Sequence, residues 1–198
     1  MQDQHRFNLK AWLLWTAGFV AFIIGGALAT AVVGRINDLG SALIGGMIAG
    51  AVIGTGQWLV ARRLLGNPQT WIPATALAMG IGLAVGAWVV DYGTSLGELA
   101  LMGFITGIPI GVAQAYLLRD RLANAWVWAA AVPLLWALGW TVTTAGGIDV
   151  DRQFAVFGAY GAITFMALSG VLLDRLRAAT SPPTPPLLPV ARTKVMAQ

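Results

Sequence analysis

Six long stretches without a charged residue divide the chain, at residues 11–33, 39–61, 64–90, 99–118, 122–148 and 153–173. Each is near or above the roughly 20 apolar residues that a helix needs to cross a bilayer core. The short segments between them carry most of the ionisable side chains. The pattern predicts an all-α polytopic membrane protein with six transmembrane helices. Composition agrees, since 58% of the residues are hydrophobic and only 10% charged, against about 25% charged in soluble domains.

A second periodicity lies over the first. Gly46, Gly50, Gly54, Gln57 and Arg62 recur 57 positions later as Gly103, Gly107, Gly111, Gln114 and Arg119. Gly25, Gly82 and Gly139 are likewise 57 apart, one in each odd-numbered span, which also argues that the first span is retained and is not a cleaved leader. With an offset of 55 a third, weaker copy reads Gly158, Ala162, Met166, Ser169 and Asp174. The spacing predicts three tandem two-helix repeats, about 11–63, 71–121 and 125–177, between a cytoplasmic N-terminus (1–10) and a Pro-rich cytoplasmic tail (178–198). Two spans per unit give every copy one orientation, so the copies are related by an axis along the membrane normal. A pseudo-threefold bundle of six helices follows.

The charges alternate from one connection to the next. Ten of the twelve basic residues lie at the N-terminus, after the second and fourth spans, and in the tail. The other connections hold Arg35 and Arg152 with Asp38, Asp91, Glu98, Asp149 and Asp151. By the positive-inside rule both termini are cytoplasmic. The net charge of +4 is then explained by topology and by membrane lipids as partners, through Arg62, Arg63, Arg119 and Arg121 near the ends of the even spans. It does not point to nucleic acid, for no basic stripe is interleaved with exposed aromatics.

At about 100° per residue, Gly46, Gly50, Gly54 and Gln57 share one helix face. Glycine ridges let helix backbones approach where lipid supplies no hydrophobic drive, so helix packing is the expected role of both ridges. Gln57 and Gln114 sit one turn below their arginines and turn inward. Each amide needs a partner, either an interhelical hydrogen bond or, with Ser169, a polar ring on the axis able to bind a solute or headgroup. Trp12, Trp15, Trp58, Trp71, Trp88, Trp126 and Trp128 lie toward span ends and read as an aromatic belt. Pro109 and Pro133 fall inside the fourth and fifth spans.

Chemistry-bearing groups are scarce. The chain has no cysteine and a single histidine, His5, outside every span. The spans contain no lysine, acid pair or nucleophile–base set, so no catalytic residue, metal site or cofactor is expected.

The string from Gly54 to Arg63, with Gln57, Trp58, Leu59 and Arg62 in place, resembles a group of uncharacterised bacterial multi-pass membrane proteins. In these, helix pairs ending in G-x-x-Q-W-L-x-x-R recur along the chain. The resemblance covers about residues 11–177; Gln114-Ala115-Tyr116 replaces Gln-Trp-Leu in the second copy, and the third lacks the Gln. It implies a bacterial cytoplasmic membrane and no particular activity. The expected function is a non-enzymatic accessory or scaffold protein, a subunit or assembly factor of a larger membrane complex or a homo-oligomer. The alternative is a small-solute or lipid transporter with its site on the pseudo-threefold axis.

Overall fold

The computed structural model describes residues 7–148 and 153–180, and within them every regular element is an α-helix. Six spans are long and apolar enough to cross a membrane. The first comprises α1 (Leu9–Ala17) and α2 (Val20–Val33). The others are α3 (Leu39–Leu65), α4 (Pro68–Val89), α5 (Leu96–Leu118), α6 (Ala125–Ala145) and α7 (Ala159–Thr180). Consecutive spans are neighbours, and α7 returns to pack on α1 and α2, so the six close into a ring.

Local chemistry sets the helix ends. Asp38 caps α3 by accepting from the Ser41 N–H at 2.8 Å, while Ser95 and Glu98 form a reciprocal capping box on α5. The Glu98 carboxylate is thus spent on its own helix. Asn67 followed by Pro68 opens α4, and Gly66, at φ +74°, supplies the left-handed turn that ends α3.

The break in the first span has a cause in register. Trp15 precedes Gly25 by ten positions, whereas Trp71 precedes Gly82 and Trp128 precedes Gly139 by eleven. Between them, Gly18, Phe19, Ala21 and Phe22 each donate to the carbonyl three residues back. Such 3₁₀ turns advance about 120° and 2.0 Å per residue instead of about 100° and 1.5 Å. Over four or five residues this recovers about one residue of rotation and rise. Trp15 is thereby buried like its counterparts, at 3% exposure against 0% for both Trp71 and Trp128.

The glycines mark close backbone approaches. A methyl group on Gly46 would lie 2.8 Å from Gly80 Cα, and on Gly50 2.9 Å from Ala76 Cα; Gly54 faces Thr75. The second ridge packs in the same way on α6, Gly103 against Trp136 and Trp140, Gly107 against Pro133, and Gly111 against Ala129. Both ridges therefore bind the helix that follows in sequence. Gly25 and Gly82 face Ala49 and Thr106 on the even helix of their own pair, whereas Gly139 faces the Phe157 ring just before α7.

Three expectations change. The sixth span begins at Ala159 and not at 153, because residues 153–158 run as a non-helical segment that turns Ala155, Val156 and Phe157 inward. There Phe157 stacks on Phe22 at 5.5 Å and meets Trp136 at 4.9 Å, filling the ring on that side. At its other end α7 continues to Thr180, so residues 178–180 are helical, and the tail proper lies outside the described residues. The aromatic belt shrinks. Trp88 and Trp126 are exposed, but Trp15, Trp71 and Trp128 are interior. Trp126 and Trp128 differ by about 200° around α6, so one must face in when the other faces out.

Candidate functional site

The interior near the arginine-bearing helix ends holds a connected set of polar side chains. Gln114 on α5 is its centre. Its Nε2 donates to Gln57 Oε1 on α3 at 3.1 Å and to Thr75 Oγ1 on α4 at 3.2 Å. Its Oε1 accepts from the indole N–H of Trp128 on α6 at 3.0 Å. The two glutamines are thus joined directly, and both are buried, at 1–2% exposure.

Ser169 does not join the amides. Its Oγ accepts from the Trp15 indole N–H at 2.9 Å and donates to the Met166 carbonyl at 3.2 Å. Contact with the glutamine cluster passes through aromatic rings, since Trp15 meets Trp128 edge-on at 6.2 Å. In both the Trp128–Gln114 and Trp15–Ser169 pairs, a tryptophan on an odd span donates to the polar residue of the even helix that precedes it around the ring. Carrying the first pair back by 57 residues gives Trp71 and Gln57. Yet Gln57 Oε1 accepts from Gln114 instead, and the buried Trp71 indole N–H finds no partner among the described residues. An orphaned donor of this kind costs about 1–3 kcal/mol.

The four arginines expected at the even-helix ends do not converge. Arg62 and Arg63 are exposed in the last turn of α3, just beyond Ala61, whose φ of −129° and ψ of 26° interrupt the helix. Arg119 lies over the Tyr116 ring at 3.8 Å. Arg121 is three residues past the end of α5 and reaches back across the bundle, its Nη1 donating to the Leu65 carbonyl at 3.3 Å. It satisfies one of the last carbonyls of α3, which intrahelical bonds leave without a donor.

A second polar centre lies at the opposite end. Gln153 is fully buried; its Nε2 donates to the Gly93 carbonyl at 2.6 Å, and its backbone carbonyl accepts from the Ile36 N–H at 3.3 Å. One residue, through its side-chain amide and its backbone carbonyl, thereby ties together all three connections at that end. The sequence concealed it, because position 153 looks like the first residue of an apolar span. The only signal was the drop of the repeat offset from 57 to 55, which places a structural change just before the third ridge.

Chemically, this interior offers amide, hydroxyl and indole groups and, among the described residues, no titratable side chain. The two glutamines, Thr75 and Trp128 are bonded to one another, as are Trp15 and Ser169, while the Trp71 and Trp136 indole N–H groups have no partner among the described residues. Such an arrangement can hold helices in register. No protein-family model, no curated protein and no solved structure matches the chain.

Proposed function

We propose that the chain is a non-enzymatic scaffold or accessory protein of the bacterial cytoplasmic membrane, built from three copies of a two-helix unit and assembled into a larger membrane complex. The observation that carries this reading is the Gln57–Gln114–Trp128 cluster, where the polar groups best suited to a ligand bond to each other at under 3.3 Å with exposures of 2% or less. The outward face is apolar, with Leu13, Val32, Leu77 and Leu134 more than half exposed, as lipid or a membrane partner requires.

The charge pattern supports an orientation with both termini cytoplasmic. Arg62, Arg63, Arg119, Arg121, Arg175 and Arg177 gather near one set of helix ends, whereas Arg35, Asp38 and Asp91 lie at the other. Exposed Trp88 and Trp126 sit at opposite ends of the helices, where two interfacial belts would be.

The test is extraction of the native tagged protein in mild detergent, with mass spectrometry of what co-purifies, for the full chain and for one ended after Thr180. Stoichiometric membrane partners are expected, lost with the tail if the tail docks them. A protein that emerges alone and monomeric would overturn the scaffold reading. Solute flux abolished by Gln57→Ala together with Gln114→Ala in a folded protein would replace it with transport along the axis.

A further inference from the structure

The ring has one open seam. Where α1, the end of α3 and the end of α7 meet, a cleft of about 650 Å³ is lined, among the described residues, by Lys10, Arg62, Arg63, Asp174 and Arg177. Trp12, Leu14 and Leu59 supply its apolar wall. Leu59 also lines a second, apolar groove of about 350 Å³ that runs on between α2 and α3 past Ile24, Val52 and Thr55. The two hollows thus adjoin at Leu59 along the first and second spans, basic at the helix ends and apolar toward the middle.

The reason for the opening is the break in the first span. Below Gly18 and Phe19, α2 packs on α3, the Ala21 side chain meeting Gly56. Above the break, α1 leans mainly on α7. The end of α3 deviates as well, at Ala61. The other gaps between even-helix ends are bridged: Arg121 bonds to the Leu65 carbonyl, and Thr180 Oγ1 accepts from the Ala123 N–H at 3.0 Å. Those bridges involve the connection between α5 and α6.

We infer that this seam is a site for one anionic phospholipid, its phosphate among Lys10, Arg62 and Arg63 and an acyl chain in the groove below. The cationic groups of Lys10, Arg62 and Arg63 on the cleft wall match a phosphate-bearing headgroup, and basic pockets between membrane helices are a recognised headgroup site. Guanidinium forks suit phosphate oxygens. The apolar groove selects a lipid over free phosphate, for it offers the phosphate nothing and an acyl chain a full contact surface. The inference rests on the membrane reading but not on the scaffold role, so its failure would leave the co-purification result untouched.

The test is native mass spectrometry of the full-length protein released from micelles containing equal amounts of phosphatidylglycerol and phosphatidylcholine with identical acyl chains. One phosphatidylglycerol is expected to be retained. Two interfacial arginines correspond to about a thirtyfold preference, which Arg62→Gln with Arg63→Gln should abolish, while Arg119→Gln, outside the cleft, should leave it intact. Ala51→Trp, which fills the groove without touching a charge, should also release the lipid and guards against a folding defect in the arginine variant. Equal retention of both lipids, equal loss with Arg119→Gln, or full displacement by millimolar inorganic phosphate would overturn the proposal.

Discussion

A close backbone contact between α5 and α6 makes the sharpest prediction. A methyl group on Gly107 would lie 2.5 Å from Pro133 Cα and 2.9 Å from Pro133 N, whereas carbon atoms in contact sit about 3.5–4.0 Å apart. The obstacle is backbone and cannot rotate away. In Gly107→Ala, α5 and α6 must therefore part by about 1 Å, which also loosens Gly103 and Gly111 against the same helix. Overpacking of this kind costs about 1–3 kcal/mol, while replacing a mid-helix glycine by alanine returns up to about 1 kcal/mol. Gly26 provides the control, because a methyl group there meets nothing closer than Val156 Cβ at 3.8 Å. Both substitutions carry the same propensity gain, so their difference isolates the packing cost. Unfolding of the purified protein in micelles of rising sodium dodecyl sulfate content, followed by helical circular dichroism, should place Gly107→Ala about 1–3 kcal/mol below Gly26→Ala. Equal stabilities would refute the close approach of α5 and α6.

Two further substitutions examine the polar interior and the helix caps. Trp71→Phe and Trp128→Phe remove similar buried volume, but only the second strands the Gln114 carbonyl oxygen, while the first deletes an orphaned donor. The same unfolding assay should find Trp128→Phe the less stable by about 1–3 kcal/mol; the reverse order would contradict the hydrogen-bond assignment. The Asp38 carboxyl is held below its ordinary value, chiefly by the backbone N–H of Ser41. A lowered folded-state value means that its stabilisation is full above the ordinary carboxylate range and is lost as pH falls through the folded-state value. Hydrogen-exchange protection in the first turn of α3, taken relative to the intrinsic exchange rate at each pH, should therefore fall on acidification in the native chain and stay level in Asp38→Asn, and identical acid responses would remove the cap from the account.

The six spans could be read directly, because charge is excluded from bilayer-length helices and the exclusion is visible one residue at a time. Gln57 and Gln114 were also legible as inward, since each shares a helix face with its glycine ridge. That they bond to each other was not, for the sequence does not say how far two helix faces lie apart. The tryptophans were misread for a related reason: distance from a span end is a linear property, while facing in or out is an angular one. Trp126 and Trp128 have nearly the same depth and opposite environments. The seam at α1 was the least legible feature. It arises from a one-residue deficit between Trp15 and Gly25, which is evident only once the three tryptophans are known to be equivalent in burial.

Gln57, Gln114 and Ser169 are buried and bonded within the helix ring, so water should have no path to them. Because the chain contains no cysteine, Ser169→Cys introduces a single thiol of nearly the same size at a position with 0% exposure. In native membranes that thiol should resist a water-soluble maleimide and react only after denaturation, while a thiol at Arg62 reacts at once. Rapid labelling at position 169 in the folded protein would contradict the claim and reveal a water-filled path along the axis.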